Sequence, residues 1–225
     1  MQLWTRYTTS GESGQQRPTT SVEFGPGNVE GVDRRLLGEV ANMRILELGA
    51  GSGHSSIALA KQGAKVVAVD PENSEAEMIR AAAEVAEVHV EVHNEALADL
   101  AFLQADSFDA VISIHSLAAV DDVGRVFRQV HRVLKSERPL IFSLPHPAAL
   151  TVDPQDETSI RSPYDETEPL GAGHHLTYRH GIGSVFTHLV RSNYRVDTIL
   201  EPSRSEDNEG MFPASVIFRA RKIGT

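Results

Sequence analysis

The sequence predicts an α/β fold, with a doubly wound and mostly parallel sheet and helices on both faces. Three observations lead to it. Short apolar segments alternate with amphipathic ones from about residue 28 onward, which favours parallel strands joined by right-handed helical crossovers. Glycine then occupies every second position from Gly49 to Gly53, directly after the first strongly apolar segment. The last two apolar segments have no helical pattern between them, so we expect an antiparallel pair that closes a sheet of seven strands.

Composition narrows the class of protein. The chain has 225 residues, enough for one α/β domain and a lid. Its net charge is −10 and its sequence pI is about 5.4, which disfavours a general binder of nucleic acid or anionic membranes, since these need a basic face. The absence of cysteine excludes disulfides and Cys-ligated metal sites. No membrane span or signal peptide is apparent, so we expect a cytoplasmic protein.

The first half of the predicted sheet consists of strands that alternate with helices. A helix that starts after the glycine turn is expected to stop at Gly63, because glycine readily adopts the positive φ of a helix C-terminus. Ser74 and Glu77 have the spacing of a capping box at the start of the next helix. The predicted elements are a helix near 32–40, a strand at 44–48, a helix at about 52–62, a strand at 64–69, a helix that ends at 85 and a strand at 88–92.

The second half repeats the alternation and then departs from it. Its clearest element is a helix at 121–135, where six apolar residues form one stripe and Asp121 and Asp122 lie at the positive end of the helix dipole. The predicted elements are a strand at 109–114, this helix, a strand at 140–144, a helix at 184–192 and two strands at 194–199 and 214–221.

Two segments lack a regular pattern. Residues 1–30 are polar, apart from Trp4, Tyr7 and Phe24, and form either a flexible tail whose aromatic residues rest on the core or a cap that closes over a pocket. Residues 151–183 are also polar, and a loop of this length in a compact domain is usually functional or disordered. We therefore predict a cap at 1–30 and a domain at 31–225 that carries a lid or substrate insertion at about 151–183.

The first strand and the glycine turn predict a ligand that contains adenosine. Glycine lets a ligand approach the backbone without meeting a Cβ, and the amides at the next helix start point towards it. Asp70 ends the second strand, 21 residues after Gly49, where a carboxylate can accept two hydrogen bonds from a ribose diol. A nicotinamide-type Gly-x-Gly-x-x-Gly fingerprint fits poorly, because its third glycine falls on His54 when counted from Gly49.

Five segments together resemble a known family. They are 47–53, 67–71, 99–102, 106–113 and 127–135. The first is an acid followed by Gly-x-Gly-x-Gly, and the set is similar to the motifs of class I S-adenosylmethionine-dependent methyltransferases that act on small molecules. The resemblance covers residues 44–147 well. It implies a Rossmann-like fold and S-adenosyl-L-methionine as the cofactor.

The resemblance also implies particular contacts. The turn would surround the methionine portion, Glu47 would orient the turn and reach the ligand's amino group, and Asp70 would hold the ribose hydroxyls. Members of the family often carry an adenine-binding acid where this chain has Ala96, so either Glu95 or Asp99 would substitute for it, or the adenine amino group would bind a backbone carbonyl or water. The implied cofactor-binding residues are Glu47, Gly49, Ala50, Gly51, Ser52, Asp70, Pro71, Ala96, Leu97 and Ser113.

Methyl transfer needs in-line alignment, exclusion of water and, for a protonated acceptor, a base. Histidine suits that base because its pKa lies near neutrality. His115 follows the fourth strand and His146 lies between prolines after the fifth, at the sheet edge where pockets form in open α/β folds. Both are candidates for contacting the acceptor, and the alternative is a hydrogen-bonded histidine at the rim. No metal site is expected, because the acids nearby have no recognised ligand spacing.

The predicted function is transfer of a methyl group from S-adenosylmethionine to oxygen, nitrogen or carbon of a small molecule. We expect a monomer or homodimer with no nucleic-acid or membrane partner. Two alternatives remain open: a non-catalytic protein that binds S-adenosylmethionine or S-adenosylhomocysteine, and a nicotinamide-dependent oxidoreductase.

Overall fold

The computed structural model describes residues 20–25, 32–153, 156, 158–171, 176–202 and 211–224. Most of the predicted cap, including Trp4 and Tyr7, lies outside these residues. None of the helices in the described ranges has the length and apolar character that crossing a membrane requires.

Seven strands form one sheet in the order β3-β2-β1-β4-β5-β7-β6. All neighbouring pairs from β3 to β5 are parallel, and β7 is antiparallel to both β5 and β6. The predicted fold class is therefore confirmed, including the antiparallel C-terminal strand. The strands are β1 Arg44–Leu48, β2 Lys65–Val69, β3 Val90–His93, β4 Ala110–Ile114, β5 Pro139–Pro145, β6 Tyr194–Leu200 and β7 Ser215–Lys222.

Helices cover both faces of this sheet. The helices are α1 Val32–Leu37, α2 His54–Lys61, α3 Asn73–Val85, α4 Val123–Val133 and α5 Ile182–Arg191, and short 3₁₀ turns follow β4 at Ser116–Ala119 and β5 at Ala149–Thr151. One apolar cluster joins one face of the sheet to α1, α2 and α3, and a second joins the other face to α4 and α5. The central strands are apolar on both sides for this reason, as parallel strands between two helical layers must be.

Helix α4 shows how local sequence sets its element. The Asp122 side chain accepts a hydrogen bond from the Arg125 amide at 2.9 Å, which satisfies one of the free donors at the helix start. Its apolar stripe is fully buried, and the rings of Phe127 and Phe142 lie 5.3 Å apart between helix and sheet. The stripe predicted from sequence is thus the face that packs.

The predicted capping box at Ser74 and Glu77 is wrong. Helix α3 begins at Asn73, one residue before Ser74, and its N-cap residue Glu72 makes no side-chain capping bond. The helix starts early because the Asp70 carboxylate accepts the Glu72 amide at 3.0 Å and turns the chain directly after β2. Glu77 instead accepts a hydrogen bond from the Asn73 side chain at 3.0 Å, one helical turn away.

Candidate functional site

The site lies where the winding of the chain reverses. From β1 the chain winds outward to β3, and it then returns to β4 on the other side of β1. The carboxyl ends of β1 and β4 therefore border a crevice, the place where open α/β sheets bind their ligands. The glycine turn, Asp70 and the turn after β4 surround this crevice.

The glycine turn brings its backbone very close to the turn after β4. Gly49 has a φ of +71°, and a Cβ added there would lie 2.1 Å from the Ser116 Cβ. The Ser116 hydroxyl donates to the Gly49 carbonyl at 2.7 Å, so the two turns are fastened together. Sequence reasoning missed Ser116. Its signal was a serine in the turn after β4, where that strand meets the glycine turn.

Asp70 fastens the other side of the turn. Its side chain is almost completely buried, with Oδ2 accepting the Gly51 amide at 2.9 Å and Oδ1 the Glu72 amide at 3.0 Å. Asn94, which sequence reasoning also missed, donates to the Asp70 carbonyl from the end of β3 at 2.9 Å. Each carboxylate oxygen has a second acceptor site, so Asp70 can hold the turn and still accept the hydroxyls of a ribose.

Glu47 is a fully buried acid at the end of β1. Its Oε2 accepts the Ser56 hydroxyl at 2.5 Å, and its Oε1 has no hydrogen-bond partner among the described residues. Burial raises the pKa of Glu47 to about 7, the bond from Ser56 opposes that change, and the nearby charge of Asp70 adds to it. The end of β1 thus carries a buried carboxyl group that lacks a hydrogen-bond donor on one oxygen within the described part of the chain.

The remaining cofactor candidates divide into two groups. Ala50, Ser52, Leu97 and Ser113 are buried, and Leu97 Cδ1 lies 3.5 Å from the Cβ position of Gly49. The Ser113 hydroxyl donates to the Leu48 carbonyl at 2.8 Å and ties β4 to β1. Pro71 and Ala96 are exposed. The structure therefore brings the buried group to the turn and leaves these two at the surface.

His115 is fully buried at the end of β4, in a left-handed conformation with a φ of +57°. Its Nε2 lies 2.9 Å from the Ser215 hydroxyl at the start of β7. The segment 20–25 covers this pair, since a Cβ on Gly25 would lie 2.8 Å from His115 Nε2 and 2.5 Å from Ser215 Oγ. Phe24, the described aromatic residue of the predicted cap, is completely buried in the core on the α1 side.

His146 is also buried, and both of its ring nitrogens have partners. The Ala148 amide donates to Nδ1 at 3.2 Å, so the proton is assigned to Nε2, which donates to Glu201 Oε1 at 2.7 Å. Its backbone amide donates to the Ala214 carbonyl at 3.0 Å. The ends of β5 and β6 and the start of β7 meet at this histidine.

The C-terminal part of the predicted insertion packs on the turn that follows β4. The Tyr178 amide donates to the Ala118 carbonyl at 2.7 Å, and His180 Nε2 lies 2.9 Å from the Val120 carbonyl. Arg179 reaches the other way and donates to the Leu150 carbonyl at 3.0 Å and to the Ser162 hydroxyl at 2.7 Å. The described part of 151–183 is therefore joined to the turns that follow β4 and β5 at the carboxyl edge of the sheet.

These residues fit S-adenosylmethionine. The turn has no Cβ at its closest approach, Asp70 has acceptor sites to spare, and the free oxygen of Glu47 suits a cationic donor. In the described ranges no three histidine or acid side chains are grouped to hold a metal ion.

Comparison with known proteins agrees with this geometry. A family model described as "Methyltransferase domain" matches residues 46–142. A ubiquinone biosynthesis O-methyltransferase of Xanthomonas oryzae pv. oryzae is 32% identical over 130 residues, which cover 58% of this chain and 53% of the relative. The chain thus spans about half the length of the curated relatives that it matches.

Solved structures extend the likeness to most of the chain. An S-adenosylmethionine-dependent methyltransferase from Mesorhizobium loti superimposes with a TM-score of 0.74 at 25% identity, covering 84% of this chain and 95% of that one. Magnesium protoporphyrin IX methyltransferase from Synechocystis PCC 6803, solved with bound S-adenosylhomocysteine, shares the fold, with a TM-score of 0.60, 20% identity and coverage of 82% and 76%. Both predictions, of the family and of S-adenosylmethionine as its cofactor, are confirmed. This chain is therefore similar over most of its length to S-adenosylmethionine-dependent methyltransferases, and its residues 46–142 match the methyltransferase domain model.

Proposed function

We propose that the protein transfers the methyl group of S-adenosylmethionine to a small-molecule acceptor. The observation that carries the proposal is the crevice between β1 and β4, where the Asp70 carboxylate holds the glycine turn beside the buried acid Glu47. This cofactor has a ribose, an aminoacyl group and an ammonium group. The Asp70 carboxylate, the open glycine turn and the buried acid Glu47 match these three parts. The proposed contacts are the cofactor-binding residues predicted from sequence.

The bound cofactor would supply a methyl group on a sulfonium, activated for in-line displacement. The protein would position the cofactor and the acceptor and exclude water from them. Ser113 and Ser116 keep the ends of β4 and β1 together, which fixes the cofactor relative to the acceptor side of the crevice. Segments 20–25 and 176–182 lie over that side, and we propose that they belong to the cap and lid that exclude water during transfer.

We propose His115 and His146 as the groups that contact the acceptor or remove its proton. Each would become accessible to an acceptor only after a local movement. His115 becomes reachable when the segment at Gly25 moves aside. His146 can take a proton on Nδ1 once the Ala148 amide gives up its 3.2 Å bond, and Glu201 would then stabilise the imidazolium through Nε2.

An oxygen acceptor is the first class to test. The curated relatives are named ubiquinone biosynthesis O-methyltransferases, and two of them are 32% and 33% identical to this chain over 130 residues. A hydroxyl acceptor is also the one that most needs a histidine base. We further propose that the protein acts as a monomer or homodimer and without nucleic acid, which light scattering and retention on immobilised RNA and DNA would check.

The test begins with the donor. We expect tight binding of S-adenosylhomocysteine in calorimetry and no response to nicotinamide cofactors; the reverse result would overturn the proposal. Transfer is then followed by mass spectrometry, using S-adenosylmethionine with a deuterated methyl group and a panel of small hydroxyl compounds. Donor binding without transfer to any compound in the panel or in a small-molecule extract would favour the non-catalytic alternative.

The two histidines are compared by substitution. His115→Ala and His146→Ala should retain binding of S-adenosylhomocysteine, because the ring nitrogens of these histidines contact residues outside the glycine turn. The variant that lacks the true base should lose at least a hundredfold in turnover, the usual contribution of a general base. Full turnover in both variants would show that neither residue has that role.

A further inference from the structure

Glu47 is a cofactor-binding candidate whose carboxyl group is buried with one oxygen unpaired among the described residues. It is the next-to-last residue of β1, two residues before Gly49, and is completely shielded from water. Serine hydroxyls approach it from α2, and one of them, Ser56, donates to Oε2. The other oxygen, Oε1, is buried without a partner among the described residues. Burying a carboxyl oxygen that has no hydrogen-bond donor costs much more free energy when the group is ionised than when it is protonated.

The groups that face Glu47 give it no positive charge. From β2 comes the Asp70 carboxylate, a like charge, and from α2 come the hydroxyls of Ser55 and Ser56, which are neutral. On the β4 side its register partner is Ile112, an apolar residue. None of these groups is a cation that would stabilise the ionised form of Glu47, and its pKa is raised to about 7 chiefly by burial. Without ligand, the group therefore carries a proton for much of the time at neutral pH.

A cofactor in the glycine turn would change this balance. Its amino acid portion carries an α-ammonium group, and a positive charge brought into a buried site favours the ionised form of a neighbouring acid. Attraction at short range in the interior is far stronger than in water, so the ammonium need not touch Oε1 to have this effect.

We propose that Glu47 gives up its proton to the solvent when the cofactor binds, so that a newly formed buried carboxylate recognises the ligand's α-ammonium group. The proposal rests on the proposed function, because it takes S-adenosylmethionine as the ligand. The O–H bond of the Glu47 carboxyl breaks, its proton passes to the buffer, and the ligand ammonium keeps its own protons. Recognition of the cofactor is then proton-linked: affinity for ligands with an ammonium group rises with pH through neutrality.

The experiment is calorimetry of the whole chain with S-adenosylhomocysteine at pH 7, in buffers of different ionisation enthalpy. A released proton makes the observed enthalpy depend on the buffer, and the slope counts the protons. We expect a slope of about half a proton, and an affinity that increases up to about eightfold between pH 6 and pH 7.5. 5′-Methylthioadenosine, which lacks the amino acid portion, should show neither effect. The amine analogue S-adenosyl-3-thiopropylamine, which lacks only the carboxylate, should show both.

The variant Glu47→Gln keeps an acceptor for Ser56 and cannot ionise. It should bind S-adenosylhomocysteine more weakly than the wild type at pH 7.5, with no buffer dependence, and should bind 5′-methylthioadenosine as the wild type does. If this variant does not fold, the comparison of the three ligands on the wild type still decides. Binding of S-adenosylhomocysteine with the same enthalpy in every buffer would overturn this inference and leave the proposed function standing. Absence of any binding would overturn the proposed function itself.

Discussion

Replacing Asp70 tests the site most directly, because this side chain has a structural and a ligand-binding task at once. Asp70→Ala removes the acceptor of two backbone amides, those of Gly51 at 2.9 Å and Glu72 at 3.0 Å. A hydrogen bond to a charged group is worth roughly 1.5–3 kcal/mol. Removing the charge also relieves its repulsion of Glu47. We therefore expect the free energy of unfolding to fall by about 2–4 kcal/mol, less than the full sum.

The same substitution should weaken cofactor binding. Loss of both ribose contacts is expected to lower the affinity for S-adenosylhomocysteine at least tenfold, which corresponds to about 1.4 kcal/mol. Asp70→Asn retains one acceptor oxygen and should lie between the wild type and Asp70→Ala in both properties. Urea unfolding gives the stability, and titration calorimetry under conditions where each variant is folded gives the affinity.

Asp109→Ala is the matched control. Asp109 also accepts a backbone amide, that of Arg44 at 3.0 Å, and it pairs with Lys135 at 2.8 Å, but it lies at the opposite end of the sheet from the crevice. Its loss should cost stability and leave affinity unchanged. The reasoning is refuted if Asp70→Ala binds S-adenosylhomocysteine as the wild type does, or if it loses affinity without any loss of stability.

Three further predictions follow from the same contacts. Between pH 4.5 and 7 the folded protein keeps a proton on Glu47 that the unfolded chain has released, so stability without ligand should fall by roughly 3 kcal/mol as pH rises through this range. Urea unfolding at several pH values should show this fall in the wild type and not in Glu47→Gln. The same pH dependence in both proteins would contradict the raised pKa of Glu47. Gly25→Ala should speed amide exchange of residues 20–25 at least tenfold, about 1.4 kcal/mol of local stability, because its Cβ would clash with His115 and Ser215. Gly38→Ala is the control: Gly38 also has a positive φ, but its Cβ would meet nothing, so exchange of residues 20–25 should not change. Equal effects of the two substitutions would rule out the clash at Gly25. Lys222→Met should lower the free energy of unfolding by about 2 kcal/mol, because the buried ammonium donates to the Leu134 carbonyl at 2.9 Å and its aliphatic stem is packed. It should also remove the hydrogen bond that lowers the pKa of Asp106, so the variant should lose less stability than the wild type as pH falls below 4. The same loss of stability in both proteins below pH 4 would contradict the pairing of Lys222 with Asp106.

The order of strands and helices was readable because each depends on neighbours in sequence. The stripe of α4 and the apolar runs of β1 and β2 set their own periodicity, and the observed bounds differ from the predicted ones by a few residues at most. Helix α3 was placed wrongly at its start for a reason of the same kind. The Asp70 side chain, which lies before the helix, accepts a backbone amide at the helix start, a role that the pattern assigned to Ser74. Sequence spacing does not tell which of the two side chains will accept that amide.

The site was readable in part for a related reason. Glu47, the glycine turn and Asp70 lie at strand ends in a parallel sheet, which brings them to one edge whatever the details of packing. Ser116 and Asn94 were missed because each acts through a contact with a backbone carbonyl just beyond the end of another strand. Such a contact has no sequence pattern, since a serine or asparagine in a turn is common in any protein.

By itself, the sequence determined the fold class and the place of the crevice, because these follow from local periodicity and from a turn that only glycine can form. S-adenosylmethionine as the cofactor was implied by the resemblance of five segments to a known family. The tertiary structure decided what surrounds each group. Glu47 has a raised pKa because strands and helices far apart in sequence exclude water from it. His146 pairs with Glu201, which lies 55 residues away, and His115 lies under Gly25, which lies 90 residues before it. Burial and charge are set by neighbours in space, and a linear pattern does not contain them.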